Sequence, residues 1–196
     1  MNPIRNLTDL RVIKTKRAIR NAFAKLLTQK DANDITVTEL SREANINRKT
    51  FYNYYSGVYQ IADDMLYEIG ESYEKILSGI KFERNMDRAD QLLNRMTALV
   101  ESDPEFFTYV FTMNADQKLA NSIIELLKEK TKAAMLSQIS LDPAAADIIL
   151  NYSFSGMLAV YRQWLSSDRR QPLSEISSLI SVMSFSGLNG VFDLLA

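Results

Sequence analysis

Cysteine and histidine are both absent from this 196-residue chain. The two absences together remove most of the chemistry open to a protein of this size. Without cysteine there is no disulfide, no thiolate zinc site and no thiol nucleophile. Without imidazole there is no histidine general base, no serine–histidine triad and little prospect of a transition-metal site. Glycine is sparse as well: Gly57, Gly70, Gly79, Gly156, Gly187 and Gly190 are scattered, so no glycine-rich loop is available to cradle a phosphate. No run of about 18 uninterrupted apolar residues occurs, and no membrane span is expected. The opening segment MNPIRNLTDLRVIKTKR lacks the apolar centre of a signal peptide, so a cytoplasmic protein is expected. Catalysis would have to rest on Asp, Glu, Lys, Arg, Ser, Thr and Tyr in no recognisable nucleophile motif. Neither an enzyme nor a metal or cofactor binder is expected.

What is present is distributed unevenly. The formal charge of the whole chain is −1. Residues 1–57, however, hold eleven Lys and Arg against five Asp and Glu, a net +6, leaving −7 on the remainder. A basic head on an acidic body is the electrostatic footprint of a nucleic-acid binder with a second function behind it.

Residues 36–55, TVTELSREANINRKTFYNYY, place that charge on a motif. Thr36 opens T-x-x-E, a capping box in which its hydroxyl caps a helix and Glu39 reaches back to the cap's backbone. Val37, Leu40 and Ala44 fall on one face of that helix, Ala44 being small enough for a second helix to cross closely. Asn45 tolerates a left-handed backbone, Ile46 plugs the turn, and Asn47 caps the second helix. In that second helix Phe51 and Tyr55 point inward while Arg48, Lys49, Thr50, Tyr52 and Asn53 point outward. Cations, hydroxyls and an amide are the groups that phosphates and major-groove base edges require. Two short helices, a tight turn and this outer face make a helix-turn-helix. Thr36, Thr38, Asn47, Arg48, Lys49, Thr50, Tyr52 and Asn53 are its candidate DNA-binding residues. Arg48 and Lys49 are placed on base edges, the threonines, Tyr52 and Asn53 on phosphates.

The run from Ala44 to Ile61, ANINRKTFYNYYSGVYQI, is similar to the signature of TetR/AcrR-type transcriptional regulators, roughly A-G-V-S-x-G-T-L/F-Y-x-Y/H-F-x-S-K-E-x-L. Ala44, Ile46, Thr50, Phe51, Tyr52, Tyr54, Tyr55 and Ile61 match, and Asn47 replaces the serine cap. Asn45 stands in for the turn glycine, and Lys49 adds a cation where glycine is frequent. Val58 occupies the place of a lysine that often holds a phosphate. The resemblance covers about the first third of the chain. It implies a dimeric regulator that binds a palindromic double-stranded operator and carries a small-molecule effector site in its body.

The whole chain reads as helical. Ile19, Ala22, Phe23 and Leu26 share one stripe of a helix over about 10–29, which would complete a three-helix head. Ser56-Gly57 ends the second motif helix, and a long helix follows over about 58–80. Asp63 and Asp64 in its first turns favour the positive end of its dipole. Polar residues 81–90 precede a helix ending near 101. Asp103-Pro104 and Asp142-Pro143 each set a capping acid before a proline, opening helices near 104–113 and 143–167. Two more run over about 116–138 and 173–194. The expected architecture is all-α, about nine helices, divided into a helix-turn-helix domain over 1–57 and a regulatory and dimerisation domain over 58–196.

The last two helices carry the stripes Ile149/Tyr152/Gly156, Phe154/Leu158/Tyr161/Leu165, Met157/Val160/Trp164 and Ile176/Ile180/Met183/Gly187. A helix apolar over so much of its circumference must be covered from several sides, and a homodimer through these two helices is expected. Aromatics and methionines gather in the body, among them Met96 and Met113. Phe107, Tyr109, Phe111, Tyr152, Tyr161 and Trp164 are the candidate ligand-binding residues, in a pocket suited to an apolar or aromatic molecule. The leading expectation is a repressor released from its operator by such an effector. The alternative is a regulator whose acidic body docks a protein partner instead.

Overall fold

The computed structural model describes the backbone of residues 3–82, 90–112, 118–168 and 171–194, and side chains over 10–82, 91–111, 118–168 and 171–184. Among the described residues there are nine α-helices and no strand: α1 (Pro3–Leu27), α2 (Val37–Glu43), α3 (Arg48–Tyr52), α4 (Tyr59–Leu77), α5 (Asp90–Ser102), α6 (Pro104–Thr112), α7 (Lys118–Leu136), α8 (Pro143–Ser166) and α9 (Leu173–Leu194). The all-α architecture is as the sequence implies. Residues 83–89 of the polar linker and Met113 lie outside the described residues, as do the side chains beyond 184, those around Gly187 among them.

The local signals explain the boundaries. Thr36 Oγ1 accepts the Glu39 amide at 3.2 Å, Asn47 Oδ1 accepts the Thr50 amide at 2.7 Å, and Asp142 accepts the Ala145 amide at 3.0 Å. Each satisfies an amide that a helix start would otherwise leave bare. Asn45 has φ 52°, the left-handed conformation that the turn between α2 and α3 demands. Only half of the capping box forms as expected. The Glu39 carboxylate is held chiefly by Lys30 Nζ, at 2.8 and 3.0 Å, because an ion pair attracts it more strongly than a single backbone amide. The second motif helix is also shorter than expected, ending at Tyr52 so that Tyr55 leaves it and turns towards α4.

Three apolar clusters hold the molecule together. The first joins Ile19, Phe23 and Leu27 of α1, Leu40 of α2, Phe51 of α3 and Ile61, Met65 and Ile69 of α4 to Phe106, Val110, Leu119 and Ile123 of α6 and α7. The motif helices therefore share their core with α6 and α7. The second cluster packs α4, α5, α7 and α8 around Tyr73, Leu92, Met135 and Phe154. The third packs Leu93 and Val100 of α5 against Tyr161 of α8 and Leu173, Ile176 and Ile180 of α9.

One apolar surface of α8 and α9 is left uncovered. Ile148, Tyr152, Leu179, Val182 and Met183 are all exposed, and a side chain built on Gly156 would meet nothing within 4 Å. The face differs in detail from the stripes read in the sequence. Ile149 turns inward, and Ile176 and Ile180 are buried against α5, so the open strip of α9 keeps Met183 of the expected stripe and adds Leu179 and Val182.

Candidate nucleic-acid interface and body cavity

The turn geometry sets α3 with its amino end outward. Arg48, Lys49, Tyr52 and Asn53 are exposed there, with Thr36, Thr38 and Asn47 exposed alongside and Thr50 half-buried. Phe51, fully buried, anchors the helix by stacking edge-on to Tyr52 and tilted on Tyr55 at 5.5 and 5.8 Å. Seven of the eight candidate DNA-binding residues are thus exposed and Thr50 is half-buried, although the Asn47 Oδ1 oxygen is spent on its cap.

The basic head is less free than its composition suggests. Lys16 pairs with Asp64 at 2.8 Å, Arg17 with Asp103 at 2.9 Å, Arg20 with Asp103, Lys25 with Glu43 and Lys30 with Glu39 at 2.8 Å. Five of its eleven cations are therefore neutralised internally. No carboxylate pairs with Arg48 or Lys49 among the described residues, so those two keep their full charge for an outside anion.

Two of the ion pairs form joints that the sequence did not reveal. Asp64, read as a helix-dipole acid, instead accepts the Tyr55 hydroxyl at 2.6 Å and Lys16 Nζ at 2.8 Å. Burial would raise its carboxyl, but the hydrogen bonds from Lys16 and Tyr55 outweigh burial and hold it below the ordinary carboxylate value. Burial first, then the Asp64 bond, pushes the Tyr55 phenol far up, so it stays protonated and donating. Asp103, expected only as the cap of α6, also binds Arg17 and Arg20 of α1, and the Arg20 guanidinium lies 4.2 Å over the Phe106 ring. Burial opposes ionisation of Asp103, but Arg17 and Arg20 prevail and lower it. The signal was legible only as an acid before proline; its long-range partners are 83 and 86 residues away.

Within the body, α4, α5, α7 and α8 diverge around a cavity of about 60 Å³. Its walls are Tyr73 of α4, Phe82, Leu92, Leu93 and Met96 near α5, Thr131 and Met135 of α7, Ile149, Leu150, Ser153, Phe154 and Met157 of α8, and Ser184 of α9. No charged side chain is among these described lining residues. Met96 and Met157 of the body methionines are there, and Met113 lies outside the described residues; the six candidate ligand-binding residues are not among the lining. Tyr152 is 77% exposed. Tyr161 is buried, stacked at 5.6 Å on Phe111, which in turn packs on Phe107. Tyr109 bonds Glu105 at the surface, and Trp164 donates to the Gln171 carbonyl at 2.8 Å. Phe107, Phe111 and Tyr161 close the gap between their helices by stacking on each other, whereas the cavity is walled by Tyr73, Phe82 and Phe154 together with Met96, Met135 and Met157.

Known proteins resemble the chain in sequence over part of its length and in fold over most of it. Residues 87–186 match the family model TetR_C_8, whose description reads "Transcriptional regulator C-terminal region". An uncharacterized HTH-type transcriptional regulator of Bacillus subtilis (strain 168), YxbF, is 36% identical over 59 residues. That match spans 30% of this chain and only 16% of the relative's length. The fold is similar to a TetR-family transcriptional regulator from Streptomyces coelicolor, with TM-score 0.59 at 15% identity over 93% of this chain and 83% of that one. It is also similar to the transcriptional regulator FadR from Bacillus subtilis in complex with stearoyl-CoA, with TM-score 0.59 at 13% identity over 87% of this chain and 98% of that one.

Proposed function

The chain belongs to the TetR family of transcriptional regulators, and on that premise we propose that it is a homodimeric repressor, released from a palindromic operator when a small apolar effector enters its body. In this reading residues 1–57 form the reading head and 58–196 the regulatory and dimerising body, in a cytoplasmic protein. Arg48 and Lys49 reach base edges, while Thr36, Thr38, Asn47, Thr50, Tyr52 and Asn53 hold the phosphate backbone. Two protomers meet through the open apolar face of α8 and α9, since a two-fold operator calls for a two-fold protein. The carrying observation is the pair of exposed cations at the start of α3, which no described carboxylate pairs with, in a head where five other cations are spent on internal ion pairs.

The FadR neighbour holds stearoyl-CoA, and its likeness here is one of fold. The cavity of this chain suits hydrocarbon, and its uncharged described walls disfavour any charged portion of a ligand, since a buried charge needs a partner.

Selection of binding duplexes from a random pool, followed by anisotropy titration, tests the reading. A palindromic site bound by two protomers, with affinity falling steeply as salt rises, is the expected outcome. Equal affinity for selected and scrambled duplexes would overturn it. Transcription from a promoter carrying the selected site, with and without the protein, tests repression against activation.

A further inference from the structure

The hydroxyl pair in the cavity wall has a direction. Tyr73 is 1% exposed, and its Oη lies 2.7 Å from Thr131 Oγ1. Thr131 Oγ1 also lies 2.7 Å from the Leu127 carbonyl and donates to it. A carbonyl only accepts and a threonine hydroxyl has one hydrogen, so that hydrogen is committed to Leu127. The hydrogen between the two hydroxyls is then the one on Tyr73. Tyr73 and Thr131 both line the cavity, and Tyr73 Oη keeps only lone pairs for any further partner.

From this we infer that the effector site is selective for a neutral alcohol or phenol, a hydrocarbon body bearing one hydroxyl that donates to Tyr73 Oη. This rests on the cavity being the effector site, as proposed above. A ketone, ester or ether presents an acceptor to the Tyr73 acceptor and gains nothing there; its oxygen can be met only by a wall hydroxyl such as Ser153, which serves an alcohol equally. A carboxylate brings a charge that no described lining residue neutralises, and it carries no donor at neutral pH. Ser153, half-buried on the α8 wall, supplies a hydroxyl that can turn to complete the ligand's own acceptor. The volume of about 60 Å³ is small for a ring or a six-carbon chain. Met96, Met135 and Met157 line it, however, and unbranched thioethers repack at low cost, so the cavity opens as it fills.

Calorimetric titration of the full-length protein with 1-hexanol, 2-hexanone and hexanoate reads the selectivity directly. Hexanol is expected to bind about tenfold more tightly than hexanone, the worth of one net hydrogen bond, with no detectable hexanoate binding. Tyr73→Phe should bring hexanol down to the level of hexanone. Thr131→Val gives the sharper result. It removes the acceptor that holds the Tyr73 hydrogen, which swings into the cavity, and hexanone should gain while hexanol loses its advantage. A residue that merely supported the fold would weaken both probes alike. Hexanone or hexanoate matching hexanol in the wild type would overturn the inference and leave the cavity as the effector site. If none of the three binds the wild type, the cavity itself is not the effector site, and the inference falls with it.

Discussion

At the scale of single residues, function and stability separate cleanly on the head. Lys49 and Tyr52 stand on the same exposed surface, but a lysine at a base edge and a hydroxyl at a phosphate do different work. Lys49→Ala should cost about 1–3 kcal/mol on the selected operator and relax preference at one position. Tyr52→Phe should weaken every duplex by a similar factor. Anisotropy titration against single-base operator variants tells them apart, and identical profiles would erase the assignment. Ser41 shows the opposite case, a residue whose polarity serves nothing visible. Its side chain is buried and its hydroxyl has no partner. Ser41→Ala should therefore raise stability by about 1 kcal/mol, from removing an unpaired hydroxyl and improving helix propensity. Thermal denaturation would show Tm higher by roughly 2–4 °C, whereas a fall would mean that the hydroxyl is bonded after all. The caps at Thr36, Asn47 and Asp142 and the left-handed Asn45 were legible because each depends on neighbours three or four residues away. The partners of Asp64 and Asp103 were not, since no local rule pairs an aspartate with a lysine 48 residues away or with arginines 83 and 86 residues away.

At the scale of helices, two contacts decide how the molecule holds and how it assembles. The joint between α1 and α6 gathers Arg17 and Arg20 around Asp103, whose side chain is 6% exposed. Both Asp103 and Asp64 are lowered from the ordinary value of 3.8. Their contribution to stability is thus fully present above that value and is lost as pH falls through the lower, folded values. Unfolding free energy should drop in acid below about pH 4, with Asp103→Asn already less stable at pH 7 by about 2 kcal/mol, the worth of a hydrogen bond to a charged group. The variant should show a shallower acid limb in urea melts taken across pH, and a limb as steep as wild type would remove Asp103 from the account. The second contact is the open face of α8. Gly156 has clear space around it within the protomer, so Gly156→Leu should leave the fold and Tm of the protomer intact while obstructing a partner helix. Sedimentation is expected to show a weakened dimer, and operator affinity should fall with it. An unchanged dimer would place the interface elsewhere. That the last two helices are amphipathic on several sides could be read from the sequence. Which strip stays open could not, because Ile176 and Leu179 are equally apolar, and only the position of α5 decides which of them is covered.

At the scale of the whole molecule, one helix touches both proposed functions. Asp64 of α4 holds Tyr55, three residues beyond the end of α3, and Tyr73 of the same helix lines the cavity. Nine helical steps separate them, about 13 Å of rod, so a ligand that displaces Tyr73 is expected to move the acid that seats α3. A ligand shifts such an equilibrium only by its differential affinity for the two states. Coupling of about 1–3 kcal/mol would make operator binding 5–150-fold weaker with ligand bound, and ligand binding weaker by the same factor on the operator. Titrating 1-hexanol into the protein with and without its selected duplex, at one fixed salt concentration, measures that factor from the ligand side. Titrating duplex with and without hexanol measures it from the other, and the two must agree. Tyr55→Phe cuts the hydrogen bond to Asp64 while touching neither ligand nor DNA. It should shrink the factor and leave hexanol affinity in free protein unchanged. If hexanol binds equally well with and without operator, the cavity is not coupled to the head, and the acidic body is better read as the seat of a protein partner.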